Sequence, residues 1–322
     1  MKFFIQLFIT LILLSILWIC IVFLQASNLT KTSQWVYDAY QKKIQTAKKI
    51  KTKKIVIVAG SNTLFGCNSK MLSKAFNLPI VNFGVNAGVL LPYTLYKAKE
   101  VINKGDIVLM PLEYSMYVYD AKPNEQMIDI IFSRDFDAFW HLSLKEMFYM
   151  VWNITFDRLY RGYKAQGGEK ITKGLYGAHH IDNYGDQIKT DKKYQTKGMK
   201  NDIENNFAKH PEHYGAEYKQ DAISWKYLKK FALWCKNNDV KLILMPATLL
   251  NDKTYITDKK ERWFYTHLKD ILKKQELTYI GNPYNYMYNK ENYFNTNYHL
   301  INKARDVRTK QMIDDLKNIL IK

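Results

Sequence analysis

An uninterrupted apolar run lies near the N-terminus of this chain, from Phe3 to Leu24. The run holds 22 residues and no charged side chain. An α-helix of that length rises about 33 Å, enough to cross the roughly 30 Å hydrocarbon core of a bilayer. A cleavable signal peptide has a shorter apolar region and small residues at the cleavage point, whereas Leu24, Gln25 and Ala26 match that pattern poorly. We therefore expect residues 1–26 to form an uncleaved, single-pass membrane anchor.

The charges beside the apolar run bear on the side of the membrane that the rest of the chain occupies. Residues 27–52 form a basic stalk or polar helix, and the chain from Lys31 to Lys54 carries eight Lys and one Asp. The positive-inside rule gives most weight to charges close to the membrane ends. Within that distance Lys31 is offset by Asp38, whereas Lys2 and the α-amino group lie on the opposite side. The near charges favour an exported domain.

The formal net charge of +18 raises nucleic acid as a partner. The basic residues are spread along the chain instead of forming a stripe with interleaved aromatic residues, so we expect no nucleic acid. Anionic lipid headgroups or acidic glycans explain the charge as well. A cytoplasm-facing nucleotide binder is an alternative based on charge alone, but Gly60–Gly66 lacks the Lys-Ser/Thr end of a phosphate-binding loop. The three cysteines have no metal-binding spacing, and we expect no metal or cofactor.

Beyond the stalk, strand and helix patterns alternate. Continuous β-branched or apolar runs, typical of buried parallel strands, are followed by turns. The strands are predicted at 55–58, 80–83, 107–110 and 240–245, with a weak strand at 277–280. Helices are predicted at 69–76, 90–103, 219–238, 259–274 and 301–321. This order predicts a doubly wound, mostly parallel α/β sheet.

An insertion interrupts the alternation at about 114–218, within a domain that spans residues 53–322. Its first part, residues 127–160, is rich in aromatic residues and helical in pattern, and its second part, residues 162–215, is rich in Gly, Lys, Asp and Tyr. We expect the insertion to add a helical and polar surface to the domain.

Ser61 stands in the turn that follows the first strand, directly after Gly60. Ligands of open α/β sheets bind beyond the carboxyl ends of the strands. A Gly permits a sharp turn, and the N–H groups of a following helix can stabilise an oxyanion. The alternative is that Ser61 merely caps that helix. The turn by itself does not choose between the two.

Two further blocks lie where the sheet would place ligand-binding residues. The second strand leads into Asn82-Phe83-Gly84-Val85-Asn86, where Gly84 allows close approach of the backbone. The block Asn295-Thr296-Asn297-Tyr298-His299 stands before the last helix. A His in such a loop can act as general base for a serine distant in sequence. The combination of the three blocks is more specific than any one of them.

These blocks together resemble the SGNH, or GDSL-like, hydrolase family. The closest likeness is to its membrane-anchored branch in bacteria, similar to alginate acetylation proteins and to the D-alanyl transfer proteins of teichoic acid systems. The resemblance implies a three-layer α/β/α fold, Ser61 as nucleophile, the N–H groups of Ser61 and Gly84 as oxyanion donors, and His299 as base. It implies an esterase or O-acyltransferase, with acetyl as the acyl group, that acts on a cell-envelope polysaccharide from the inner membrane.

The sequence departs from the family pattern at two places. Glu113 stands where the family supplies an Asn to the oxyanion hole, and an ionised Glu113 would repel an oxyanion, so Asn86 is the substitute donor. Asn295 and Thr296 stand where an Asp would hold the imidazole of His299. The alternative function is therefore a catalytically impaired protein of the same fold that binds glycan or serves a membrane-bound acyltransferase.

Overall fold

The structure is a computed structural model, and it describes residues 1–164 and 174–320. The chain forms two compact units. The first comprises Met1–Tyr37 and Ala121–Lys173, and the second comprises Asp38–Asp120 and Gly174–Lys322. The predicted insertion at 114–218 is thus divided between the two units, and part of its polar half, residues 165–173, lies outside the described residues.

Helices outnumber strands in the described residues. In chain order, the α-helices are α1 (Lys2–Phe23), α2 (Gln34–Lys49), α3 (Ser61–Gly66), α4 (Ser69–Phe76), α5 (Leu90–Ala98), α6 (Tyr114–Tyr117), α7 (Glu125–Ser133), α8 (Leu144–Asn153), α9 (Phe156–Tyr163), α10 (Lys197–Asn201), α11 (Tyr214–Glu217), α12 (Ile223–Asn237), α13 (Thr254–Thr257), α14 (Lys259–Lys274) and α15 (Asn302–Leu320). The strands are β1 (Ile55–Ile57), β2 (Ile80–Asn82), β3 (Ile107–Met110), β4 (Lys241–Leu244), β5 (Leu249–Leu250) and β6 (Met287–Tyr288).

The first unit is helical. Its helix α1 is long and apolar enough to cross a membrane, and its side chains are almost all exposed. Helices α7, α8 and α9 complete the unit, together with a 3₁₀ segment at Phe136–His141. A buried ion pair between Arg158 and Asp129, with an N–O distance of 2.6 Å, lies among these helices. Thr30 also donates to the carboxylate of Asp129, so the buried charges are satisfied within the unit.

The second unit is built on a parallel four-stranded sheet of order β2-β1-β3-β4. All three residues of β1 are buried, as expected for a continuous β-branched run. Side chains from one face of the sheet pack with α4 and α15 in a common core, which includes Ile57, Leu109, Leu72 and Met312. The protein is therefore a mixed α/β protein with a small parallel sheet and one N-terminal apolar helix.

The helix ends follow from local capping. Asn68 accepts a hydrogen bond from the N–H of Met71 at the start of α4, and Asp258 accepts from two N–H groups at the start of α14. Both helices have the bounds that the sequence predicts. At the end of α4, Asn77 adopts the left-handed conformation, with φ of 50°.

Several predicted elements differ in the structure. The helix predicted at 90–103 ends at Ala98, and the helix predicted at 219–238 begins at Ile223. The weak strand predicted at 277–280 is reduced to a single parallel bridge between Tyr279 and Leu244. The predicted stalk contains helix α2, which is not polar on all sides, because Tyr40, Ile44 and Ala47 are buried along one of its faces. Spacings of three and four residues put these side chains on one side of the helix.

Candidate functional site

The candidate site lies at the carboxyl ends of β1, β2 and β3. From β1 the chain moves to β2 on one side and then to β3 on the other side of β1. Such a reversal is where open α/β sheets bind ligands. Ser61 follows β1, Gly84 follows β2 and Glu113 follows β3. The topology thus brings these three predicted residues to one edge of the sheet.

Ser61 is the first residue of α3, and it is half-buried. The N-cap is Gly60, which has no side chain with which to cap the helix. Within the described part of the chain, neither the hydroxyl nor the N–H group of Ser61 has a hydrogen-bond partner. The structure therefore does not use Ser61 as a helix cap.

Gly60 is required by close packing. Its φ of −87° lies outside the left-handed region that favours glycine. A Cβ atom there would lie 2.5 Å from the backbone nitrogen of Ala87 and 2.5 Å from Oε1 of Glu113. The loop after β2 and the residue after β3 therefore both close on the turn at the position next to Ser61.

The carboxylate of Glu113 binds the backbone of the Ser61 turn. Oε2 accepts from the N–H of Gly60 and Oε1 from the N–H of Asn62, both at 2.9 Å. Only 1% of Glu113 is exposed. Charge-assisted bonds of this kind are about twice as strong as neutral ones. Glu113, predicted to face a ligand, instead holds the turn and takes up two N–H groups that flank Ser61.

Asn62 is fixed by groups that the sequence did not point to. The buried guanidinium of Arg308, on α15, donates to both the backbone oxygen and Oδ1 of Asn62, at 2.9 and 2.8 Å. The amide nitrogen of Asn62 donates to the carbonyl of Pro111 at 2.9 Å. Arg308 packs closely against Gly66. No local periodicity in the sequence marks this contact or the burial of Arg308.

Gly84 packs closely against the turn. A Cβ atom on it would lie 2.0 Å from Oγ1 of Thr63 and 2.5 Å from the carbonyl oxygen of Gly60. Its N–H group, however, donates to Oδ1 of Asn82 at 3.1 Å. This predicted oxyanion donor is therefore engaged within the protein, whereas the N–H of Ser61 is not.

Asn82 connects the turn to a buried acid from the polar segment. Its amide nitrogen donates to the carbonyl of Thr63 at 2.7 Å and to Asp186 at 2.9 Å. The other partners of Asp186 are the N–H and hydroxyl groups of Ser69, each at 2.7 Å. Burial, with the charge of Asp182, raises the pKa of Asp186 to about 6. The polar segment thus reaches beneath the site, which its composition did not indicate.

Lys43 is the buried cation on the other side of Gly84. Its ammonium donates to the carbonyl oxygen of Gly84. Burial lowers the pKa of Lys43 to about 7, opposed by the charges of Asp186 and Asp182. Lys43 belongs to α2, so a residue assigned to the basic stalk instead supports the loop after β2.

Asn86 lies in that same loop and is half-buried. Its Oδ1 accepts from the N–H of Gly88 at 2.8 Å and caps a 3₁₀ turn at Ala87–Val89. Because Ala87 touches the Gly60 position, Asn86 stands beside the Ser61 turn. The predicted role of Asn86 as donor to an oxyanion stays a prediction.

The imidazole of His299 stacks on the ring of Phe65, with centroids 4.0 Å apart and planes 4° apart. Its Nδ1 is 2.8 Å from Oδ1 of Asn295, whose amide nitrogen donates to the hydroxyl of Tyr176 at 2.7 Å. Oδ1 can only accept, so Nδ1 carries the proton and Nε2 of the neutral ring keeps a lone pair. Burial lowers the pKa of His299 to about 3.

The loop that carries His299 is held mainly by neutral bonds, and the carboxylate of Glu212 also accepts from the amide of Asn297 at 3.0 Å. The N–H of Phe294 donates to the carbonyl of His299 at 2.7 Å, closing a small hairpin. Gln195 donates to the carbonyl of Phe294 at 2.7 Å, and Thr248 to that of Tyr298 at 2.8 Å. The imidazole therefore has a fixed position.

Ser61 and His299 lie on the same side of α3. Ser61 and Phe65 are four residues apart and share a face of the helix, and helical side chains lean toward the N-terminus. His299 stacks on Phe65 and therefore lies against the face of the helix that Ser61 shares. In the described residues no hydrogen bond joins the Ser61 hydroxyl to the imidazole.

A separate surface groove lies at the opposite ends of the strands. Lys53, Gly105 and Lys241, which precede or begin β1, β3 and β4, line it. Its position is not the one at which parallel sheets bind ligands.

All three cysteines are free thiols. Among residues 1–164 and 174–320, no group of three or more His, Cys, Asp or Glu could hold a metal ion.

Comparison with protein-family models, with curated proteins and with solved structures found no match to this chain. The chemistry of the site therefore has to be argued from its own geometry.

Proposed function

We propose that the protein is a membrane-anchored, SGNH-like serine esterase or O-acyltransferase that acts on a cell-envelope polysaccharide. The observation that carries the proposal is the imidazole of His299, stacked on Phe65, which shares a face of α3 with Ser61, and held by Asn295 with its Nε2 unprotonated. A neutral imidazole with a free Nε2 is the form that a general base needs. The three-layer α/β/α arrangement of the SGNH family is part of this proposal.

The proposed reaction proceeds through an acyl-serine. Nε2 of His299 removes the proton of the Ser61 hydroxyl as Oγ attacks the acyl carbonyl carbon, and the imidazolium returns that proton to the departing alcohol oxygen. The acyl group, acetyl in the simplest case, then passes from Ser61 to water or to a sugar hydroxyl. Catalytic hydrogen bonds often form only in the substrate complex, so the missing bond between Ser61 and His299 is compatible with this sequence.

The oxyanion donors differ from those that the family resemblance implies. The N–H of Ser61 is available, and Asn86 stands beside the turn, whereas the N–H of Gly84 is engaged by Asn82. We assign the oxyanion hole to the N–H of Ser61 and the side chain of Asn86. A single such donor contributes about 10²–10³ in turnover.

The decisive experiment replaces the nucleophile. Ser61→Ala in the full chain, in detergent or nanodiscs, should abolish both hydrolysis of p-nitrophenyl acetate and labelling by a fluorophosphonate probe. Ser115→Ala is the matched control, because Ser115 is also half-buried and follows a strand of the same sheet. Undiminished turnover in Ser61→Ala would overturn the proposal.

A second function is favoured by Glu113. Its carboxylate sits at the N-terminus of α3 and consumes two of the N–H groups nearest Ser61, and a negative charge there disfavours an oxyanion. The second candidate is therefore a catalytically impaired protein that binds glycan or assists a membrane-bound acyltransferase. Calorimetric binding of an O-acetylated polysaccharide by a chain whose Ser61 resists the fluorophosphonate would support it.

The location proposed for the domain is the periplasmic or extracellular side of a bacterial inner membrane, with α1 as the single span. The balance of charges nearest α1 supports this orientation. A phosphatase reporter fused to the C-terminus should be active, since the enzyme folds only after export. Activity of a C-terminal reporter that folds only in the cytoplasm would instead place the domain on the cytoplasmic side.

A further inference from the structure

The first unit carries an unusual set of exposed apolar side chains. Leu144, Phe148 and Trp152 follow one another at four-residue spacing on α8, and Phe156 and Tyr160 continue at the same spacing on α9. Leu144 is 84% exposed and Phe156 78% exposed. Such spacing puts each set on one side of its helix. We call these five residues, together with the exposed Trp140, the aromatic face.

The aromatic face adjoins the C-terminal end of the apolar helix α1. The indole N–H of Trp18 donates to the carbonyl of Val151 on α8 at 2.8 Å, and its ring contacts that of Phe156 on α9, with centroids 5.6 Å apart. Farther along α1, the ring of Phe23 contacts that of Trp140 at 6.1 Å. The face is thus continuous with the helix that can cross a membrane.

The separation of these contacts along the axis of α1 gives the depth at which the aromatic face would lie in a bilayer. Trp18 precedes Phe23 by five residues, which is about 7.5 Å along the helix axis. If α1 spans the bilayer, Trp18 and the aromatic residue that it touches lie about that far inside the end of the span. Amphipathic helices at membrane interfaces bury their apolar sides about 5–10 Å deep. The two depths agree.

The opposite sides of α8 and α9 are fixed in the interior of the unit. Met150 and Val151 are buried, and Arg158 is held by its ion pair with Asp129 and by the side chain of Gln25 at 3.1 Å. Ser143 and Glu146 form a capping box at the start of α8. The aromatic face is therefore presented by ordered helices, and its exposure is not the result of fraying.

We propose that the aromatic face lies in the bilayer interface beside α1, as a second, monotopic contact with the lipid. Trp and Tyr favour the membrane–water boundary, where their rings are apolar and their polar atoms stay hydrated. Lys145 and Lys164 lie at the two ends of this helical region, where anionic headgroups attract cations. The proposal rests on insertion of α1 and is independent of the serine chemistry.

Site-specific fluorescence in nanodiscs of phosphatidylcholine and phosphatidylglycerol tests this proposal on the full chain. In a Cys20→Ala background, where the remaining Cys67 and Cys235 are buried, Phe148→Cys is labelled with an NBD dye. Leu233→Cys on α12 is the matched control, since Leu233 is 59% exposed and Phe148 67%. NBD on the native Cys20, which lies within α1, reports whether the span is inserted.

The label at position 148 should emit at shorter wavelength than the label at 233 and be quenched severalfold more by doxyl-phosphatidylcholine. Equal, water-like emission at both positions, with the label on Cys20 quenched, would overturn the proposal. Shielding of position 148 in native membranes but not in lipid nanodiscs would also overturn it, because a protein partner would then cover the face. Unchanged circular dichroism of Phe148→Cys shows that the exposed substitution leaves the fold intact.

Discussion

The turn that carries Ser61 is held by buried charges from distant elements, whereas the loop that carries His299 is held mainly by neutral amides and aromatic rings, with one bond to the carboxylate of Glu212. Glu113 and Arg308 fix the turn through Asn62 and Gly60. In the loop, Asn295 orients His299. Charged bonds inside a protein are strong, but they also occupy the N–H groups that would otherwise bind a ligand.

The contrast shows which N–H groups and ring nitrogens in each half of the site are left to contact a ligand. The N–H groups of Gly60 and Asn62 on the turn, and of Gly84 in the loop after β2, are all engaged, and that of Ser61 is not. On the loop that carries His299, the proton on Nδ1 is fixed and Nε2 keeps its lone pair. The proposed enzyme would depend on one backbone donor, on Asn86 and on a histidine without a carboxylate partner.

The largest effect is expected from the donor beside the turn. Asn86→Asp keeps the acceptor that caps the N–H of Gly88 but removes the amide N–H groups. Turnover of p-nitrophenyl acetate should fall about 10²–10³-fold, the usual effect of losing one oxyanion donor. Asn282→Asp is the matched control, because Asn282 caps the N–H of Tyr284 in another 3₁₀ turn. Equal turnover in the two variants would remove Asn86 from the oxyanion hole.

The next effect concerns the stiffness of the turn. Glu113→Gln replaces one of two accepting oxygens by an NH₂ group, so one buried backbone N–H faces a donor instead of an acceptor. The free energy of unfolding in urea should fall by about 2–3 kcal/mol. Glu291→Gln, at an exposed position, should change it by less than about 0.5 kcal/mol. A Glu113 variant as stable as this control would show that the turn does not depend on the carboxylate.

The next effect is on the pH dependence of stability and arises from the burial of His299. An unfolded His takes up a proton near its ordinary pKa of about 6.5, whereas burial keeps His299 neutral in the folded state down to about pH 3. Between those two pH values, protons bind preferentially to the unfolded state, so the free energy of unfolding falls as the pH falls. Between pH 6.5 and pH 5, the free energy of unfolding of the natural chain should fall by about 2 kcal/mol more than that of the His299→Gln variant.

Asp186 acts in the opposite direction below about pH 6, because burial raises its pKa and protonation then favours the folded state. Its contribution is common to both proteins and cancels in their difference. Parallel stability curves for the natural chain and His299→Gln would mean that His299 is not neutralised by burial.

The smallest effect tests the missing carboxylate. Asn295→Asp places a negative charge beside Nδ1 of His299 and gives the imidazolium the partner that it lacks. The reverse change in a protease triad costs about 10⁴ in turnover; for this chain we expect a gain in kcat of about tenfold, or roughly 1.4 kcal/mol. Asn285→Asp adds the same charge at an exposed position and should have no effect. No gain over this control would favour the binding protein.

The parts of the fold that follow from local pattern were predictable from the sequence. The strands were found because β-branched runs are buried on both sides, and α4 and α14 were found with their bounds because their caps are local. The convergence of Ser61, Gly84 and Glu113 followed from the rule that parallel strands end at one edge.

The supports of the site were not predictable, because each depends on contacts between residues far apart in sequence. Lys43 and Asp186 stand in segments whose charged and polar composition is typical of solvated surface, and both are buried. Arg308 is one of many basic residues and differs only in what it touches. The orientation of Glu113 toward the turn was equally hidden, since a carboxylate after a strand can face a ligand or the backbone.

The reach of Asp186 beneath the sheet has a consequence for how this chain can evolve. Asp186 supplies the acceptors for Ser69 and for Asn82, and Asn82 in turn positions Gly84. A lineage that shortened the polar segment would lose all of these acceptors at once. We therefore expect positions 69, 82 and 186 to vary together among descendants of a common ancestor, and the segment around Asp186 to be retained wherever Asn82 is retained.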